Sequence, residues 1–349
     1  MILHVLDALA ELPLQEVVVV VGHRADWVTK ALSEHAPPSL AISYVEQSER
    51  LGTADALAVG LTALPEELTE ADGDVVVLPG DTPLLRPPTV AALVRHHRVA
   101  EAAATLLTAV VDDPAGYGVV GRGKDGSVAR VLDRRSPARE PGDWRAGGGD
   151  EADDLLDGSE IATNIHCFRL GVLAPALRRI PPSGDPAEHR LNDVYEVLAG
   201  AGYRVESVAV DDPMEVAGVN DRAQLAVAEA ELRDRINERW MRRGVTMWDP
   251  ERTYVDAAVQ LAADVVLLPG TILQGACVVA PGAEVGPGCH LVDTEVGAGS
   301  VVSSTAARRA RIGAGCTVGP FAVLQEGAVV PDGRSVGAFE EVSAEAEPG

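Results

Sequence analysis

The chain has 349 residues, a formal net charge of −24 and 46% apolar residues, with only 3% aromatic. That length suits two or three domains, with cores built from Val, Leu, Ala and Ile. The acidic balance excludes a nucleic-acid surface or an anionic membrane, both of which call for clustered cations, but not a phosphate-bearing ligand held by a metal ion and backbone N–H groups. Lysine occurs only at Lys30 and Lys124. Cys167, Cys277, Cys289 and Cys316 form no CxxC pair, so a zinc site has little support. No apolar stretch reaches the ~20 residues that span a bilayer, and no secretory leader is recognised. The expectation is a cytoplasmic protein.

Residues 1–220 read as alternating strands and helices. Residues 17–21 (VVVVV) are a buried strand, 26–34 a helix, 42–45 a strand and 53–64 an Ala/Leu helix. Residues 75–78 are a third strand, 89–98 a helix and 104–111 a strand. The alternation predicts a parallel, doubly wound α/β sheet. Residues 75–85, VVVLPGDTPLL, are the most informative stretch. Ligands of open α/β sheets bind beyond the carboxyl ends of the strands. Asp81, placed there after Gly80, is sited either to hold Mg²⁺ on a nucleotide phosphate or simply to cap a turn. Residues 134–157 are rich in Pro, Gly, Asp and Arg and read as a long loop, a lid or a disordered insertion.

Residues 221–243 read as a connecting helix with a stripe of Leu225, Ala228, Leu232, Ile236 and Trp240, stopped by Gly244. Beyond residue 250 the pattern changes. Val255, Leu261, Leu267, Leu273, Val279, Val285 and Leu291 recur every six residues, and Ile312, Val318, Leu324, Val330 and Val336 resume the step after an irregular patch. Four residues after these aliphatics stand small or tolerant residues, among them Cys277, Ala283, Cys289, Cys316, Ala322 and Ala328. This is the hexapeptide pattern of a parallel β-helix, with aliphatics stacked inward from coil to coil. It assigns three of the four cysteines to packing. The predicted organisation is an α/β domain over 1–220, a connecting helix and linker over 221–250, a β-helix over 251–342 and an acidic tail over 343–349.

Several motifs stand in a specific order: Val21-Gly22-His23, Gln47 with Leu51-Gly52-Thr53, Gly80-Asp81-Thr82-Pro83-Leu84, Asp113-Pro114-Ala115-Gly116-Tyr117-Gly118, Val216-Ala217-Gly218-Val219-Asn220 followed by Arg222 and Leu225, and Cys316-Thr317-Val318-Gly319-Pro320-Phe321. From Met1 to about Val342 the chain resembles the bifunctional N-acetylglucosamine-1-phosphate uridylyltransferase/glucosamine-1-phosphate acetyltransferase family. The resemblance implies a Rossmann-like nucleotidyltransferase domain, with the family's first strand missing, followed by a left-handed β-helix that forms homotrimers. It implies Mg²⁺-dependent uridylyl transfer from UTP to N-acetylglucosamine 1-phosphate, feeding cell-wall peptidoglycan precursors. Gln47, Gly52 and Thr53 would hold the uracil, although Gly52-Thr53 is also a plain helix start with Thr53 as cap. Asp81 and Asn220 would ligate Mg²⁺, although Asn220 also suits the cap of the long helix. Gly118 would lie close to the amino sugar, where a Cβ would clash. Gly80, Asp133 and Asn164 complete the implied substrate set.

Three departures from the family qualify this reading. The family's Gly-rich phosphate loop and Pro-Lys pair fall upstream of Met1. In the sugar pocket Asp133 is a shorter acid, Ala162 stands where the family has Asn, and Asn164 stands on its Gly. The acetyl-transfer residues lie in later coils, so no acetyltransferase activity is expected. Two alternatives stay open: a nucleotide-sugar-binding or assembly protein with impaired catalysis, and a related nucleotidyltransferase using another sugar 1-phosphate.

Overall fold

The computed structural model describes residues 1–22, 24–112, 117–123, 126–133, 160–182 and 188–344. The segment over 134–157, read as a lid or insertion, lies outside them, as do His23, residues 113–116 of the Gly118 motif and residues 345–349 of the acidic tail. The chain divides into two units, Met1–Gln224 and Leu225–Gly349.

The first unit runs α1 (Ile2–Ala10), β1 (Val17–Val21), α2 (Ala25–His35), β2 (Ile42–Glu46), α3 (Thr53–Leu61), α4 (Glu66–Glu70), β3 (Asp74–Val77), α5 (Pro87–Val99), β4 (Ala104–Val110), β5 (Gly118–Arg122), β6 (Val128–Asp133), β7 (Glu160–Arg169), α6 (Leu170–Leu177), α7 (Val194–Gly200) and β8 (Val205–Ala209). Each strand and helix expected before residue 112 is present, to within a few residues. Helix α1 has no counterpart in the sequence reading. It is short and lacks a capping side chain, and is held by burying Val5, Leu6 and Leu9 with Val19, Val21 and Leu32.

The expected parallel sheet needs correction. β1 and β2 pair in parallel as a two-stranded sheet, and a second sheet has the order β6-β5-β7-β4-β8, with β3 also on β7. In that second sheet only β4–β8 is parallel. β7 runs antiparallel to β3, β4 and β5, and β5 runs antiparallel to β6. Apolar periodicity marks a strand but carries no direction. Gly123 and Ser127 close the β5–β6 connection through a backbone bond of 2.8 Å, as an antiparallel pair allows.

Helix α8 (Arg222–Arg242) leads into the second unit. There Ile236 and Trp240 join the core of a parallel β-helix, and Asn237 Nδ2 donates to the carbonyls of Pro250 and Thr253. Strands of two or three residues stack into three parallel sheets, each strand pairing with the next coil. All twelve aliphatics of the six-residue repeat are buried, and Cys277, Ala283, Cys289, Cys316, Ala322 and Ala328 are almost wholly enclosed. The irregular patch is a shortening of the coils. Val296, Val302 and Ala307 occupy the same inward rows, with Leu291 facing Ala307 and Ala307 facing Leu324 across coils. The arrangement is consistent with a left-handed hexapeptide β-helix. Burying one such Leu or Val contributes about 2 kcal/mol, so the stacked rows hold the unit with Trp240 as the one aromatic side chain in its core among the described residues.

Candidate functional site

The carboxyl ends of β1, β2 and β3 carry the motifs singled out in the sequence. Gln47 follows β2 directly, and its backbone N–H donates to the Val21 carbonyl at 2.8 Å. Its side-chain Nε2 donates to the Gly52 carbonyl at 3.2 Å and to Asp55 Oδ2 at 2.7 Å. The amide is thus locked onto the start of α3. Gly52 takes φ 107°, ψ 178°, and a Cβ there would lie 2.4 Å from the His189 carbonyl oxygen. The Thr53 hydroxyl does not cap α3. It accepts the backbone N–H of Leu191 at 3.0 Å, while His189 donates to the Leu51 carbonyl and accepts from the Ala54 N–H.

A second group lies across β6, β5 and β7. Gly118 pairs with Asp133 on one side and Ala162 on the other, so the three positions expected at the sugar sit side by side in the sheet. A Cβ on Gly118 would meet Val131 Cγ1 at 2.8 Å, Asn192 Nδ2 at 3.6 Å and Ala162 Cβ at 3.7 Å. Asp133 is placed by its backbone. Asn164 has φ 59°, a conformation that Gly takes freely and Asn tolerates. It is exposed in the middle of a strand whose flanking residues are buried, next to a break in the β4–β7 register.

The third group is at the end of β3. Beyond Gly80, whose Cα faces Ile2 of α1, the Asp81 carbonyl accepts the N–H of Val219 at 3.0 Å, and a Cβ on Gly218 would lie 3.8 Å from Asp81 Oδ1. The backbone therefore brings residues 218–220 against Asp81 from the far end of the unit. Helix α8 is capped by Asp221, whose Oδ1 accepts the Gln224 N–H at 2.8 Å, while Gln224 Oε1 accepts the Asn220 N–H. This is close to a capping box, and it leaves the Asn220 side chain out of the cap. Among the described residues neither the Asp81 carboxylate nor the Asn220 amide has a hydrogen bond or ion pair within the protein.

No group of three or more His, Cys, Asp or Glu that could hold a metal occurs among the described residues. One carboxylate and one amide oxygen nonetheless fit Mg²⁺, which commonly takes one or two protein carboxylates and fills its shell with water and phosphate oxygens.

The segment over residues 189–192 joins the first two groups, through Gly52-Thr53 at one end and Gly118 at the other. It carries none of the motifs seen in the sequence. Among the described residues no hydrogen bond ties Asp81 or Asn220 to those groups, and Asn164 pairs with neither. A cavity of about 510 Å³ opens between α3 and α6, lined by Asp55, Ala58, Ala174 and His189 among others. Its lining includes none of Gln47, Gly52, Thr53 or Asp81.

One buried titratable group belongs to the core rather than the site. His166, on β7, hydrogen-bonds the Tyr195 hydroxyl and stacks on Phe168. Burial pushes its pKa down to about 3. A histidine lowered in the folded state favours its neutral form, so its contribution is fully present above the unfolded pKa near 6.5 and is lost as pH falls. Between pH 6.5 and pH 5 the expected loss is about 1.6 kcal/mol, since the unfolded imidazole is half protonated at pH 6.5 and the slope reaches 1.36 kcal/mol per pH unit only below it. Urea unfolding at the two pH values measures it. The double variant His166→Phe/Tyr195→Phe should remove this part of the pH slope; an unchanged slope would reject the assignment.

Residues 1–209 match the family model for nucleotidyl transferase. The chain is 41% identical over 338 residues to the bifunctional protein GlmU of Clavibacter sepedonicus, an alignment covering 97% of this chain and 64% of that protein. It is 35% identical to the bifunctional protein GlmU of Heliobacterium modesticaldum and 38% identical to that of Desulfitobacterium hafniense, in both cases over 98% of this chain, covering 69% and 70% of those proteins. The chain thus spans slightly under two thirds of the Clavibacter protein's length. No helix among the described residues is long and apolar enough to cross a membrane.

Proposed function

The chain belongs to the nucleotidyl transferase family, as a GlmU-type member, and from that premise we propose that it catalyses Mg²⁺-dependent uridylyl transfer from UTP to N-acetylglucosamine 1-phosphate. A phosphate oxygen of the sugar 1-phosphate attacks the α-phosphorus of UTP. The bond to the bridging oxygen breaks, and pyrophosphate leaves with the electron pair. No covalent enzyme intermediate is required, so the protein's work is positioning and charge placement.

The observation that carries this reading is the meeting of Asp81 with residues 218–220 at the carboxyl end of β3. Asp81 and Asn220 would hold Mg²⁺, which supplies positive charge to the phosphates when bound. Gln47, with its Nε2 already committed to Gly52 and Asp55, keeps a carbonyl oxygen for a base N–H. Gly52 and Thr53 would shape the base pocket, and Gly80 would let the backbone come close to phosphate. Gly118, Asp133 and Asn164 would face the sugar. Ala162, which offers only a methyl beside Gly118, favours a second reading in which another sugar 1-phosphate is preferred.

The β-helix unit, with Val278, Val301 and Val323 exposed on its surface, would associate as a homotrimer. Four buried, unpaired cysteines suit a reducing cytoplasm. The test is pyrophosphate release by the chain with UTP, Mg²⁺ and a panel of sugar 1-phosphates, with mass by light scattering on the same sample. Release dependent on both substrates is expected, from a trimer. Sugar-nucleotide binding without turnover would replace this proposal with a binding role. A monomeric mass would remove the trimer.

A further inference from the structure

Asn192 sits in a short 3-10 turn, Leu191–Asp193, leading into α7. Two features set it apart. Its amide lies against Gly118, with Nδ2 3.6 Å from the point a Cβ would occupy, and the Ala162 methyl lies 3.7 Å from the same point. Its Oδ1 is buried and has no hydrogen-bond partner among the described residues. A buried amide oxygen left unpaired is unfavourable; it is one of seven such side-chain atoms among the described residues, and the one that lies on an amide against Gly118. Its position is held by Leu191, whose N–H is on the Thr53 hydroxyl, and by His189, bonded to Leu51 and Ala54. The unpaired oxygen thus belongs to an amide packed beside a position where no side chain fits, with its Nδ2 as the atom nearest Gly118.

We propose that Asn192 is a sugar-specificity residue: its Oδ1 accepts a hydrogen bond from the amide N–H or a hydroxyl of a sugar phosphate bound over Gly118, a contact that the neighbouring Ala162 cannot make. The proposal rests on the nucleotidyl-transfer reading and deepens it. It also gives the segment over residues 189–192 a function, because one rigid piece then touches the base-side residues Gly52-Thr53 and the sugar.

The test is kinetic and thermodynamic. Asn192→Ala should raise KM for the sugar 1-phosphate about 10- to 100-fold, the range for stranding one partner of a buried hydrogen bond. KM for UTP should stay within about twofold. The urea midpoint should not fall, since the amide removed has no hydrogen-bond partner among the described residues. Asn192→Ser, which keeps a smaller polar group, should give the same split at lower amplitude. A parallel rise in both KM values with a lowered midpoint would mean a structural role and overturn the proposal. Calorimetry with UDP-N-acetylglucosamine separates the two readings. If the unaltered chain binds and Asn192→Ala binds as tightly, this inference alone falls. If the unaltered chain neither binds nor turns over, the nucleotidyl-transfer reading falls and takes this inference with it.

Discussion

Replacing Asp81 by Ala is expected to lower uridylyl transfer about 100- to 1,000-fold while leaving the fold intact. The magnitude follows from the charge stabilisation a metal provides in phosphoryl chemistry, several kcal/mol, at 1.36 kcal/mol per tenfold in rate. The fold is spared because the link between Asp81 and residues 218–220 runs through its carbonyl, which accepts the Val219 N–H, and the substitution keeps that carbonyl. The carboxylate itself has no protein partner among the described residues, so no ion pair is broken. The loss should appear in kcat more than in KM for the sugar, and raising Mg²⁺ should recover only part of it. Asn220→Ala should fall in the same direction by a smaller factor, since it removes a neutral ligand and the cap at Asp221 remains. Asp81→Ala activity within about threefold of the unaltered chain would reject the metal assignment, and with it the main argument for catalysis.

Gly52→Ala should lower the stability of the first unit by about 4 kcal/mol or more, and raise KM for both substrates. Two costs add. The backbone at φ 107°, ψ 178° lies in a region populated almost only by Gly, where a side chain costs on the order of 1–3 kcal/mol. The new Cβ would also sit 2.4 Å from the His189 carbonyl oxygen and 2.8 Å from its nitrogen. Those are backbone atoms that cannot turn aside as a side-chain tip can, so the segment over residues 189–192 has to move. That segment holds the Leu191 N–H on Thr53 and the Asn192 amide over Gly118, so one methyl disturbs both sides of the site. Circular dichroism in urea gives the stability, and steady-state kinetics give the two KM values. A midpoint equal to that of the unaltered chain would show that residues 189–192 are not clamped on Gly52.

Much of the architecture is legible in the sequence because it is locally encoded. A β-helix row needs only one inward aliphatic per side of the coil, and the aliphatics from Val255 to Val336 declare that row without long-range information. The irregular patch resists the same reading because its sides shorten to five residues at Leu291–Val296, Val302–Ala307 and Ala307–Ile312, which breaks the period while the stacking continues. In the first unit, strands such as Val17–Val21 are visible from β-branched runs, whereas the antiparallel course of β7 is not. The site divides in the same way. Asp81 after Gly80 stands out as a carboxylate at a strand end. Asn192 does not: Asn-Asp before Val194 reads as an ordinary helix start, and no motif in the sequence distinguishes it.

By itself, then, the chain's order of residues determined the two kinds of architecture, the metal-suited acid at a strand end and the resemblance that implies nucleotidyl transfer. All of these depend on spacing within a few residues or on motifs taken in order. The tertiary structure alone decided strand direction, freed the Asn220 side chain by giving the cap to Asp221, and turned the Thr53 hydroxyl to Leu191 rather than to its own helix. The physical reason is separation: the Thr53–Leu191 bond joins residues 138 apart in the chain, and a contact closed across such a loop leaves no periodicity, cap or turn signal at either end.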